Sequence, residues 1–158
     1  MEAFEVEYIF HTHPKTPKIG SRIALNIIYE FPSINDIVHF IEHHNRGKLM
    51  GSLVVCPEGI YNIHKKLFTK DKIKINYDIF YNDLQTIYEE HNTKAYNDHN
   101  YIFKKKFTEI SFYKKIAFNF NFIKSINEYL NFYDIQVDYY PRVYLSKWIF
   151  PGIYLPYL

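Results

Sequence analysis

A chain of 158 residues is long enough for one domain with a real core and too short for two. With 47% hydrophobic and 23% charged residues it reads as globular and not disordered, and a net charge of +2 offers no strong electrostatic case for a polyanion partner such as nucleic acid. The single cysteine, Cys56, rules out a disulfide within the chain and points to a reducing compartment.

The opening "MEAFEVEY" is acidic and alternating, unlike a signal peptide, and "FEVEYIFHTH" continues that alternation as a strand running into two histidines. Pro14 to Pro32 holds prolines, a glycine and basic residues around "IALNII", and reads as a long loop with one turn of helix. Ser33 then opens a helix whose Ile34, Ile37, Val38 and Ile41 form one apolar stripe, and Asn45-Arg46-Gly47 closes it. "GSLVVCPEGIYNIHK" reads as a β-hairpin turning at Pro57-Glu58-Gly59, with Cys56 a buried, inert thiol. Farther on, "DLQTIYEEH" and "FIKSINEYLNFY" suit helices and "IQVDYYPRVYL" a late strand. The basic runs "FKKKF" and "FYKKIAF" fall in residues 65–116, which carry 11 Lys/Arg and 7 Asp/Glu. They read as a solvated face over an apolar underside, in a chain whose 16 Tyr and 14 Phe reflect an AT-rich coding bias. "WIFPGIYLPYL" is too short and too broken by proline to cross a membrane, and would suit packing on a protein partner. With no repeat or linker, residues 1–158 read as a single domain, soluble and cytoplasmic.

The chemistry gathers at residues 11 to 36. Two positions apart on a strand, His11 and His13 leave the same face. Two imidazoles so placed can bind one Zn²⁺ at ~2.0–2.1 Å, with a third protein ligand completing a site that keeps one position open. Asp36, in the first turn of the following helix, is a suitable carboxylate; on the helical wheel it lies nearly opposite the isoleucine stripe and should turn away from the core. Ser33 lies one turn earlier, where its hydroxyl can cap the helix or donate to an oxyanion. Taken alone, Ser33-x-x-Asp36 is also what an N-cap with a first-turn acid looks like. His39, Glu42 and His43 spell His-x-x-Glu-His, a metallopeptidase pattern, but lack a downstream third ligand. Cys56 has no Cys-x-x-Cys partner of the deaminase kind, and no glycine-rich phosphate loop appears.

Together, "HTHP" and "PSIND" resemble the JAMM (MPN+) metalloprotease family, whose signature is a distant Glu, then His-x-His-Pro, then Ser-x-x-Asp. His11, His13, Pro14, Ser33 and Asp36 match in order, and the resemblance covers roughly residues 4–64; residues 65–158 show no clear counterpart. It implies an α/β fold with a mixed central sheet flanked by helices, in the three-layer JAMM/cytidine-deaminase-like arrangement. It further implies a zinc-dependent hydrolase that cuts a ubiquitin-like or peptide substrate, with His11, His13 and Asp36 as zinc ligands and Ser33 stabilising the tetrahedral intermediate. A long loop within the motif in this coding background looks like versions from large DNA viruses, which would place the protein in the host cytoplasm or the virion.

Two features depart from the family. Eighteen residues separate Pro14 from Ser33, more than the family has; a surface loop lengthens cheaply, because closure cost grows only logarithmically. The catalytic Glu, expected tens of residues before His-x-His, has no place in the ten residues preceding His11. At ~3.3 Å per residue, Glu7 stands about 13 Å along the strand from His11 and Glu5 about 20 Å, whereas a general base must come within ~3 Å of its proton. The sequence therefore predicts an N-terminally truncated version of the fold. It should bind metal better than it cuts, with an inactive scaffold or interaction module, associated with the virion, as the alternative.

Overall fold

The computed structural model describes residues 6–13, 31–56, 59–67, 69–104 and 120–141. In chain order these form β1 (Tyr8–Thr12), α1 (Ile34–Arg46), β2 (Gly51–Cys56), β3 (Gly59–Lys65), α2 (Tyr77–Lys104), α3 (Asn121–Leu130), a 3-10 turn at Asn131–Tyr133 and β4 (Ile135–Pro141). The "IALNII" turn, "FYKKIAF", all of "FKKKF" beyond the α2 end at Lys104, and the apolar "WIFPGIYLPYL" lie outside the described residues.

The four strands make one mixed sheet in the order β1-β2-β3-β4. β1 runs parallel to β2, and the two remaining pairs are antiparallel. A parallel neighbour cannot be reached through a tight hairpin, so the chain leaves β1, forms α1 and returns as β2. β2 and β3 need no such excursion: their ladder closes at Cys56 and Gly59. Glycine is required at that closure. A Cβ on Gly59 would overlap the Tyr140 carbonyl oxygen and the Tyr139 ring on β4.

The register aligns His11 with Val54, Val54 with Tyr61, and Tyr61 with Tyr139. By alternation, Ile9, His11 and His13 therefore share a face with Val54, Cys56, Tyr61, Ile63, Ile135 and Val137. That face carries the core. Onto it α1 packs Ile34, Ile37, Phe40 and Ile41, α2 packs Phe80 and Leu84, and α3 packs Phe122, Ile123, Ile126 and Leu130. Each such side chain contributes roughly 1.5–3 kcal/mol when fully buried. Cys56 is buried in this cluster and in no disulfide, as the hairpin reading expects.

The chain is thus mixed α/β, as the sequence predicts. Among the described residues, all three helices join one cluster with strand residues of a single sheet face. On the other face Phe10 is 76% exposed, while Ile60, Asn62 and His64 are buried. No described helix is long and apolar enough to cross a membrane.

The start of α2 is fixed by polar contacts. Asn45 at the end of α1 exchanges two hydrogen bonds with the backbone of Ile73, at 2.8 and 2.7 Å. The buried Lys65 amine donates to the Thr69 hydroxyl and the Asp71 carbonyl, and pairs with Asp134 at 3.3 Å. These contacts tie the segment leading into α2 to both α1 and the sheet.

Candidate metal centre

Each of the three sequence-predicted ligands reaches the site for a local reason. β1 ends at Thr12, but the His13 amide extends its ladder by donating to Val55 O at 2.8 Å. His11 and His13 consequently project side by side, ring centroids 5.1 Å apart. α1 begins one residue after Ser33, which caps it reciprocally. Asp36 N donates to Ser33 Oγ at 3.1 Å, and Ser33 N donates to Asp36 Oδ2 at 2.7 Å. This capping box holds the carboxylate at the helix mouth, against β1. Asp36 points away from the isoleucine core, as its place on the helical wheel suggests, yet its side chain is only 16% exposed, because β1 covers what α1 alone would leave open.

Asp36 Oδ1 lies 3.2 Å from His11 Nε2, and Asp36 Oδ2 lies 3.5 Å from His13 Nε2. One ligand atom from each residue falls within 4.8 Å of the others, so the group could hold a metal ion. Donors about 2 Å from a common ion stand ~3.3–4 Å apart, so a small contraction would complete the shell. The chemistry of the contact supports this. Although 36% of the His11 side chain is exposed, its Nε2 is sealed from solvent and meets Asp36 without hydrogen-bond geometry. A buried ring nitrogen that faces a carboxylate off-axis is the arrangement a cation between them would satisfy.

Burial alone would raise the pKa of Asp36. Hydrogen bonds from His13 and from the Ser33 amide and hydroxyl, with the electrostatic effect of His11, outweigh it and hold the carboxyl at about 2. Since this lies below the usual carboxylate value, ionised Asp36 stabilises the metal-free fold above about pH 4, and that contribution is lost as pH falls toward 2. Asp36→Asn should therefore remove an acid-sensitive component of stability on the order of 2 kcal/mol, less solvent screening. Urea denaturation of both proteins at about pH 5 and about pH 3 checks this; the gap between them should narrow at the lower pH.

Ser33 lies beside the pair, but its proton is engaged. Oγ donates to Asp36 Oδ2 at 2.8 Å while accepting from Asp36 N. As found, Ser33 orients a ligand and does not face a substrate. Ser33→Ala should cost ~1 kcal/mol of stability through the lost cap. It should also weaken metal binding, because Asp36 loses the hydroxyl that fixes its rotamer; calorimetric titration of both proteins measures this second effect separately.

The remaining candidates go elsewhere. Glu7 is exposed before the amino end of β1, where its carbonyl accepts from the amides of Met50 and Gly51. It borders a small cavity with His44, Lys48 and Lys70, while His13 lies beyond the opposite end of the strand. Glu5 is outside the described residues. On α1, His39 is exposed and His43 half-buried, and among the described residues neither joins Glu42 in a metal-holding group.

Sequence reasoning missed Tyr88. From α2 its hydroxyl donates to the Pro32 carbonyl at 2.6 Å, across 56 positions of chain. Burial, and then the negative charge of Asp36, push its phenol well above the usual value, which places the ring close to the site. No sequence pattern marks it among so many tyrosines.

No protein-family model matches this chain, and no solved structure matches it. It is similar to a protein of Acanthamoeba polyphaga mimivirus that is described only as uncharacterized, with 38% identity over 157 residues. The match takes in 94% of this chain and 41% of the mimivirus protein, so the chain spans about two fifths of that relative's length.

Proposed function

We propose that the chain forms a mononuclear zinc centre of the JAMM type, within a domain that shares that family's central-sheet arrangement. His11, His13 and Asp36 would hold the ion, leaving a fourth position open. The observation that carries this reading is the convergence of two sequence motifs, eighteen residues apart between Pro14 and Ser33, into one group of ligand atoms within 4.8 Å. Bound zinc supplies polarisation of a scissile carbonyl and acidification of a water. The chain's own residues supply the rest. The capping box keeps Asp36 ionised and aimed, and Ser33 would exchange its bond to Asp36 for one to the substrate carbonyl oxygen as charge develops there. The substrate class is an isopeptide or peptide bond to a ubiquitin-like tail, hydrolysed when a carboxylate base is supplied.

A second reading has its own support: a zinc-binding domain without turnover, serving as a scaffold or interaction module. The position of Glu7 and the committed proton of Ser33 favour it. Metal analysis after zinc loading and desalting tests the shared premise. One equivalent per chain is expected, falling to background in His11→Ala. Equal zinc in both proteins would remove the site.

A further inference from the structure

Resting on the zinc reading, we propose that Tyr88 is a positioning residue of the metal centre, through which α2 sets how tightly the site grips its ion. The Phe31-Pro32-Ser33 segment delivers Asp36 to β1, and it is held from two sides. Phe31 stacks on Phe122 of α3 at 3.8 Å between ring centroids, and meets Tyr88 edge-on at 5.2 Å. Tyr88 also meets Phe122 edge-on, which closes a three-ring cluster beneath the cap. From that cluster the Tyr88 hydroxyl donates to Pro32 O, the carbonyl directly preceding the capping residue.

The backbone between that carbonyl and Ser33 N is one peptide unit, and Ser33 N donates to Asp36 Oδ2. A peptide unit is planar and moves as one body. Tyr88 therefore fixes, through a single rigid plate, the donor that orients the carboxylate. Outer partners that orient metal ligands in this way typically matter 10- to 100-fold in affinity. The arrangement also gives α2 and α3 a role at a site whose ligands all lie before residue 37.

The test compares Tyr88→Phe with Tyr129→Phe. Each removes one phenol hydroxyl and keeps its ring, and Tyr129 on α3 bonds Asp83 on α2 at 2.9 Å, apart from the cap. Zinc affinity by competition with a chromophoric chelator should fall at least tenfold in Tyr88→Phe and stay within twofold of wild type in Tyr129→Phe. The visible spectrum of the cobalt-loaded Tyr88→Phe protein should shift as the ligand geometry loosens, which a loss of stability alone would not cause. Wild-type affinity and spectrum in Tyr88→Phe would overturn this role and leave the zinc site standing. Equal losses in the two variants would reduce Tyr88 to a packing residue. A wild-type chain that binds no zinc would sink both.

Discussion

Zinc should raise the melting temperature of the wild-type chain by about 10 °C and leave His13→Ala and Asp36→Ala unmoved. A ligand present at 1,000 times its Kd adds ~4 kcal/mol to a fold whose unfolded state does not bind it. For a chain of this size each kcal/mol is worth roughly 2–4 °C. Removing one of three protein ligands should abolish that gain, because two donors on a half-exposed strand do not make a closed shell. The variants differ without metal. Asp36→Ala also forfeits its half of the capping box and should start lowest, whereas His13→Ala loses only its bond to Asp36 and should start between that variant and wild type. EDTA should return the wild type to its metal-free value. An equal zinc shift in all three proteins would mean that the ion binds elsewhere.

The zinc-loaded chain of 158 residues should show no cleavage of ubiquitin-like isopeptide conjugates above background. A positioned general base contributes typically 10²–10⁴-fold, and it must both take the proton of the attacking water and return it to the leaving amine. Among the described residues no further carboxylate joins His11, His13 and Asp36. The assay should include His11→Ala and Glu7→Gln. Cleavage lost in both variants would make Glu7 the base and overturn the expectation. Cleavage lost only in the histidine variant would also overturn it, and would place the base on another carboxylate of the chain.

Much of the site-bearing half was legible because its signals are local. Ser33, the isoleucine stripe and Gly47 bracket α1, which runs Ile34–Arg46 with Ser33 and Gly47 as its caps. The hairpin was legible from two apolar runs around Pro57-Glu58-Gly59, and its strands pair as that pattern requires. What escaped is what depends on distant chain. "DLQTIYEEH" marks only part of α2, which spans Tyr77–Lys104, because its Asn- and Tyr-rich flanks carry a weak apolar period. That β4 pairs with β3, bringing Val137 beside Ile63, is a contact no local pattern encodes. Asp36 lies away from the isoleucine core as its place on the wheel suggests, but a helical wheel cannot show the strand that lies against the helix mouth and covers it. Tyr88 was invisible for the same reason.

The register of β1 has a consequence for purified material. His11 and His13 alternate with Phe10 and Thr12 along one strand, so sliding β1 by a single position against β2 would carry both imidazoles to the opposite face at once. Such a misassembled chain would keep its helices, its hairpin and most of its circular dichroism, yet hold neither nitrogen where Asp36 waits. A slip of one position leaves neither histidine in place. The zinc content of a preparation would therefore count the fraction of molecules whose first strand was laid down in the correct frame, an error that spectroscopy of the backbone would pass over.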